Sequence, residues 1–130
     1  MNKINHPKHY NNGTEIECIT LVRPLSFNIG NAVKYLYRYQ EKKEPITDLK
    51  KAIWYLQDAH DNFETVSEGL AYIWQKQADV QNFIDASNYL PANIRYAFFL
   101  LGSQARDKLL LVDCINSIKV EIEFMEKENA

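Results

Sequence analysis

The sequence predicts an all-α fold of five to six amphipathic helices around a central antiparallel helical hairpin. Apolar residues recur at intervals of three and four along most of the chain, which is the period of an α-helix. The chain holds only four Gly and four Pro, so few positions interrupt long helices. Residues 27–56 read as two amphipathic helices joined by a short basic turn, and this stretch is the predicted hairpin.

The predicted helices follow one another with short connections. The first lies within residues 15–25 and is ended or kinked by Pro24. Ser26 is then the expected N-cap of the first arm of the hairpin. Pro45 lies near the start of the second arm, where its fixed φ suits a helix. The remaining predicted helices, beginning with the two arms, cover residues 27–40, 46–66, 69–88, 92–102 and 104–127.

The last predicted helix carries an apolar seam typical of a coiled coil. The seam is spaced 4-3-4-3 and consists of Leu111, Ile115, Ile118, Ile122 and Met125. It either packs against the other helices of the same chain or forms a surface for self-association. We expect a homo-oligomer that associates through its C-terminal helices.

Length and composition limit the function classes. The 130 residues predict one helical domain, 1–130, in which residues 66–130 serve packing or oligomerisation. A net charge of −2 gives no general electrostatic case for DNA or RNA. The polar N-terminus lacks the apolar core of a signal peptide, and no long apolar run suits a membrane span, so we expect a cytoplasmic protein with no membrane partner. Cys18 and Cys114 are expected to be buried thiols.

Each arm of the hairpin also has a polar stripe. The first stripe follows the spacing i, i+3, i+4, i+7 and consists of Asn31, Lys34, Tyr35 and Arg38. The second consists of Asp48, Lys51, Tyr55 and Asp58. In an antiparallel hairpin the two stripes lie side by side. They make either surface ion pairs, worth about 0–1 kcal/mol each, or a specific site for an anion.

The N-terminal arm, residues 1–14, contains a donor-rich segment, His6-Pro7-Lys8-His9-Tyr10. This segment is either a frayed tail or a cover for an anionic ligand. No third ligand beyond Glu17 or Cys18 is evident beside His6 and His9, so no metal site is predicted.

Common sequence signatures of nucleotide-binding enzymes and of zinc metalloproteases are absent. The chain has no GxxxxGK[ST], GxGxxG or HExxH motif. Two acidic pairs, Glu41-x-x-Glu44 and Asp58-x-x-Asp61, loosely resemble the Mg²⁺-binding pairs of all-α nucleotide pyrophosphohydrolases. This Mg²⁺ site is the weaker alternative, because the first pair lies beside Pro45 at a helix end.

The order of several motifs resembles a family of small phage and prophage proteins named nucleotide kinase or SaV-like protein of unknown function. The resemblance covers residues 6–57. It depends on the segments HPKHY (6–10), ECI (17–19), FNIGNAVKYLYR (27–38) and DLKKAIWYL (48–56). The sequence departs from the family at Thr20, where the family often has Asp, so a carboxylate role there is not expected. The resemblance implies phosphoryl transfer to a nucleoside monophosphate without a P-loop.

The leading hypothesis is therefore a phage-derived nucleotide-binding protein, with nucleoside monophosphate kinase activity as its catalytic form. In this hypothesis Lys34, Arg38 and Lys51 hold phosphate groups, and Asn31 contacts a ribose or base edge. The full predicted site is His6, His9, Tyr10, Asn31, Lys34, Tyr35, Arg38 and Lys51. No catalytic base is identified, and Mg²⁺ is the expected cofactor only for a kinase.

Two alternatives remain open from the sequence. The first is a non-catalytic binder that sequesters a nucleotide or a nucleotide-derived defence signal through the same residues. The second is a helical protein-interaction module that acts through the apolar seam of the last helix.

Overall fold

The computed structural model describes residues 18–23, 25–41, 43–62, 64, 85–86, 88–101 and 108–129. These residues form helices and no strand, which confirms the all-α prediction for this part of the chain. Four helices within the described ranges have ten or more residues, and the predicted total of five to six amphipathic helices is not shown. The elements are α1 (Cys18–Val22), α2 (Phe27–Arg38), a 3₁₀ turn (Tyr39–Glu41), α3 (Pro45–Asp61), α4 (Ala92–Leu101) and α5 (Lys108–Glu128).

The central feature is an antiparallel hairpin of α2 and α3, joined through the 3₁₀ turn. Pro45 is the first residue of α3, as predicted, because a helix needs no hydrogen bond from the N–H of its first residue. α2 ends at Arg38 and α3 at Asp61, earlier than the predicted bounds of residues 40 and 66. The helix predicted over residues 69–88 lies outside the described residues, except for its last few positions.

The N-terminus of α2 is stabilised in a way that the sequence did not predict. Ser26 occupies the N-cap position, but its Oγ is buried and makes no hydrogen bond with any described residue. The carboxylate of Glu64, which is distant in sequence, caps the helix instead. Its Oε1 accepts a hydrogen bond from the backbone N–H of Asn28 at 2.9 Å. A negative charge at this end also complements the helix dipole.

The buried core joins all five helices. On α2, the predicted core stripe is confirmed, since Ile29, Val33, Leu36 and Tyr37 are all buried. α5 packs against both α3 and α4, and α4 also contacts α2. Cys18 and Cys114 are both free and buried, as expected from their wide separation in the sequence.

The apolar seam of α5 faces this core. Its first four residues, from Leu111 to Ile122, are each no more than 6% exposed, and Met125 is partly buried against the core. The seam therefore packs within the chain, which is the first of the two alternatives. None of the helices in the described ranges combines the length and apolarity needed to cross a lipid bilayer.

Gly30 lies where α2 comes close to the end of α1. A Cβ atom built on Gly30 would lie 3.5 Å from the carbonyl oxygen of Val22 and 3.6 Å from the Cβ of Leu25. Both distances are ordinary van der Waals contacts. Gly30 therefore allows close packing of α1 but is not strictly required for it.

Candidate functional site

Polar contacts fasten the open end of the hairpin, opposite its turn. Asn28 Nδ2 donates to Asp58 Oδ2 at 2.8 Å, across the interface of α2 and α3. Asn62 Nδ2 donates to the other oxygen, Asp58 Oδ1, at 3.0 Å. The backbone N–H of Glu64 donates to the carbonyl of Ala59, which brings the Glu64 carboxylate back to α2. We call Asn28, Asp58, Asn62 and Glu64 the clasp, because together they fix the register of the two helices.

This register places aromatic rings of α2 and α3 in one row. The rings of Tyr35 and Tyr55 are stacked, with centroids 5.8 Å apart and an interplanar angle of 17°. Phe27 and Trp54 each meet Tyr55 edge-on, at 6.2 Å and 5.2 Å. We call these four residues the aromatic ladder. Its outer members are open to solvent, because Phe27 is 74% exposed and Trp54 is 62% exposed.

Three cations surround the Tyr35 end of the ladder. Lys34 Nζ and Arg38 Cζ each lie 5.1 Å from the centroid of the Tyr35 ring, and Lys51 Nζ lies 5.6 Å from it. We call these three residues the cation cluster. The structure thus brings together the three residues predicted to hold phosphate, and it places the predicted site residue Tyr35 between them. Any two of the charges lie within about 11 Å of each other, close to the screening length of physiological salt.

The cluster is a local concentration of positive charge in a chain of net charge −2. Residues 27–56 contain six Lys or Arg and three Asp or Glu, a local net charge of +3. Within the described ranges, no carboxylate forms an ion pair with Lys34 or Lys51. Contacts with the Tyr35 face stabilise each cation by only about 0.5–1 kcal/mol at an exposed site. The interpretation of the stripes as surface ion pairs is therefore not supported for the two lysines.

Asn31 lies on the same side of α2 but already has a partner. Its Nδ2 donates to the carbonyl of Phe27 at 2.8 Å, one turn earlier in the same helix. This bond holds the amide against the backbone of Phe27. The other predicted site residues, His6, His9 and Tyr10, lie outside the described residues.

The start of α1 lies close to the cation cluster. Burial raises the pKa of the Cys18 thiol to about 11, and the positive charges of Arg38 and Lys34 oppose this rise. A thiol with this pKa is protonated at neutral pH, so Cys18 is not an activated nucleophile.

Asp48, the first residue of the second polar stripe, is buried. It is only 6% exposed, and its Oδ2 is buried without a hydrogen-bond partner among the described residues. A buried carboxylate oxygen without a donor carries a free-energy cost.

The alternative Mg²⁺ site made of two acidic pairs does not fit the hairpin. Glu44 immediately precedes α3 and Asp58 lies near its end, so their Cα atoms are about 21 Å apart along the axis at 1.5 Å per residue. Asp61 is also engaged, since hydrogen bonds with His60 and from Gln57 lower the pKa of its carboxyl group. No group of three or more metal-binding side chains occurs in the part of the chain that the structure describes.

Tyr35 was among the predicted site residues and Tyr55 belonged to the second polar stripe, but Phe27 and Trp54 were not predicted to contribute to the site. Trp54 and Tyr55 belong to the DLKKAIWYL segment, but their spacing alone does not distinguish a core ring from an exposed one. Phe27 looked like the first apolar residue of a helix. An aromatic residue directly before the polar stripe and another within the facing helix are the only sequence signals that could have indicated the ladder.

Comparisons with known proteins locate a similarity in the same region. No curated protein and no solved structure matches the chain significantly. Residues 4–57, which include the N-terminal arm, α1, α2 and the first part of α3, match a family profile described as a protein of unknown function, DUF3310.

Proposed function

We propose that the hairpin binds a nucleotide, with phosphate groups on the cation cluster and the base against the exposed end of the aromatic ladder. The observation that carries this proposal is the arrangement around Tyr35. Three cations surround one ring, and that ring belongs to a row of aromatic side chains that ends at exposed Phe27 and Trp54. A nucleotide has the matching chemistry, an anionic end and a flat aromatic end.

The phosphate end of the proposed site uses side chains. The α2 N-terminus, which could otherwise bind an anion, is already occupied by the Glu64 carboxylate. Lys34, Arg38 and Lys51 are therefore the groups that would bind phosphate oxygens. Hydrogen bonds between such cations and phosphate are charge-assisted and roughly twice as strong as neutral ones.

The base end uses exposed rings. Stacking of a base on an aromatic side chain is worth about 1–3 kcal/mol, and Phe27 and Trp54 have free area for it. Asn31 lies beside Phe27 and would contact the ribose or the base edge. We also propose that His6, His9 and Tyr10 close over the ligand. The supporting observation is that the DUF3310 match spans the N-terminal arm together with the hairpin.

A pair of adjacent lysines allows a matched test. Lys51 belongs to the cluster, whereas exposed Lys50 lines a groove between α3 and α5. In calorimetric titrations with a panel of nucleotides, Lys51→Gln should weaken binding by about tenfold or more, which is the loss of one charge-assisted contact. Lys50→Gln should change affinity by less than about twofold. Equal effects of the two substitutions would contradict the proposed site.

Binding with and without turnover are separate proposals. A kinase would transfer a phosphoryl group to a nucleoside monophosphate, whereas a sequestering protein would release its nucleotide or signalling molecule unchanged. Incubation with ATP and each nucleoside monophosphate, followed by chromatography of the nucleotides, distinguishes them. Formation of the diphosphate of the acceptor nucleoside, together with ADP, indicates the kinase. Ligand that is bound but chemically unaltered indicates the binder.

Self-association, a phage origin and a cytoplasmic location stay predictions. Because the α5 seam is buried, copies of the chain would have to associate through other surfaces. Exposed apolar side chains on α4 and α5, such as Phe99 and Phe124, support that proposal and its interaction-module alternative. Light scattering coupled to size-exclusion chromatography, with Phe124→Ser as the test variant, would show whether the mass exceeds that of one chain.

A further inference from the structure

Asp48 is the buried carboxylate that the fold does not satisfy. Only 6% of the residue is exposed, and no described residue donates a hydrogen bond to its Oδ2. Its position in the first turn of α3 favours a negative charge through the helix dipole. The dipole does not replace a direct partner, because a buried carboxylate oxygen still needs a donor or a cation.

The hairpin geometry places this carboxylate at the phosphate end of the proposed site. Asp48, Lys51 and Tyr55 share one face of α3 through their spacing i, i+3, i+7. Lys51 and Tyr55 both contact the Tyr35 ring of α2, so this face is directed towards α2. Asp48 lies one turn beyond Lys51 in the direction of the hairpin turn, about 4.5 Å along the axis.

Arg38 lies at the same level on the other helix. Arg38 follows Tyr35 by three residues on α2, which is a step towards the hairpin turn. Asp48 precedes Lys51 by three residues on α3, and because the two helices are antiparallel, this step also leads towards the turn. The carboxylate is therefore next to the cation cluster and on the side away from Phe27 and Trp54. A ligand group that reaches it is part of the phosphate chain or is bound to it.

We propose that Asp48 is the protein ligand for a Mg²⁺ ion that enters the site together with the phosphate groups of the nucleotide. This inference rests on the proposed function. Mg²⁺ prefers oxygen ligands, and proteins usually hold it with one or two carboxylates plus substrate phosphates and water. A single buried carboxylate beside a phosphate site fits this pattern, and it requires no three-residue metal cluster.

The neighbouring charges predict the order of binding. The three cations disfavour a divalent cation in the empty hairpin, because like charges repel at these distances. Phosphate groups reverse the local charge and supply the remaining oxygen ligands. Mg²⁺ should therefore bind with the nucleotide and only weakly on its own.

The test is a calorimetric titration with ATP in the presence and absence of MgCl₂, for the wild-type chain and for Asp48→Asn. Wild-type protein should bind ATP about tenfold more tightly with Mg²⁺, a difference of about 1.4 kcal/mol. In Asp48→Asn this gain should fall below about twofold, and affinity for metal-free ATP should stay equal or rise, because a negative charge is removed. Glu44→Gln is the matched control. It removes an exposed carboxylate one turn earlier, and it should keep the wild-type gain.

The outcomes separate this inference from the proposed function. Binding of ATP with no gain from Mg²⁺ in the wild-type chain overturns the metal site but leaves nucleotide binding intact. A full Mg²⁺ gain in Asp48→Asn overturns the assignment to Asp48. If ATP does not bind under either condition and no other nucleotide of the panel binds, both the metal site and the proposed function are overturned. If Asp48→Asn does not fold, NMR of the wild-type chain with ATP and Mn²⁺ replaces it: selective broadening of the Asp48 carboxyl resonance supports the assignment, and no selective broadening overturns it.

Discussion

The clasp predicts that two asparagines on the same helix differ sharply in their contribution to stability. Asn28 and Asn31 both lie on α2, and each donates one side-chain hydrogen bond of 2.8 Å. The Asn28 bond crosses to the carboxylate of Asp58 in a partly buried position. The Asn31 bond stays within its own helix and is exposed. Replacement of each by Ala therefore compares an interhelical contact with a local one.

The expected magnitudes follow from these contacts. A hydrogen bond to a charged group is worth about 1.5–3 kcal/mol. The lower part of this range applies to Asn28→Ala, because Asp58 keeps the hydrogen bond from Asn62 and is not left without a donor. Both substitutions gain about half a kcal/mol of helix propensity, so this term cancels between them. We expect Asn28→Ala to be less stable than Asn31→Ala by about 1.5 kcal/mol.

Urea unfolding followed by circular dichroism measures this difference. The two variants should have the same dependence of free energy on urea and different midpoints. A double-mutant cycle with Asp58→Ala then isolates the Asn28–Asp58 pair. Residues in contact typically have coupling energies of at least about 0.5 kcal/mol. If the free energies of unfolding of the two variants agree within this value, the clasp does not set the register of α2 and α3.

Three further predictions concern the core. Gly30→Ala should raise the free energy of unfolding by about 0.5–1 kcal/mol, since the added methyl group meets Val22 at an ordinary contact distance. A lower stability in urea unfolding would show that the packing around Gly30 is too tight for a methyl group. Ile118→Ala should cost about 2–5 kcal/mol by the same assay, because Ile118 is fully buried; a cost below about 1 kcal/mol would mean that the seam is not in the core. Native Cys18 should resist iodoacetamide at pH 8. Its pKa is raised to about 11 in the folded chain, so its contribution to stability is present below the unfolded value, near 9, and is lost as pH rises from there towards 11.

Helical periodicity predicted the parts of the fold that depend on local sequence. The core stripe of α2 and the position of Pro45 followed from spacing and from the backbone chemistry of proline. The meeting of Lys34, Arg38 and Lys51 also followed from spacing, once an antiparallel hairpin was assumed. These features depend on residues that are close in sequence or related by one simple packing rule.

Hydrogen-bond partners that are distant in sequence could not be predicted from helical periodicity. Glu64 caps α2 from 36 residues beyond Asn28, and no local pattern indicates such a partner. Asp48 was placed in a polar stripe of the hairpin, and a single sequence offers no means to separate a buried polar residue from an exposed one.

The shared ring of Tyr35 has a consequence for the stability of the hairpin. Lys34 and Arg38 are separated by one helical turn, and like charges at that spacing destabilise a helix by about 0.2–0.5 kcal/mol. Lys51 adds its repulsion from the facing helix. Contacts with the Tyr35 ring, worth about 0.5–1 kcal/mol for each cation, offset this repulsion. The Tyr35 ring thus allows three like charges to lie close together at little net cost to the stability of the hairpin.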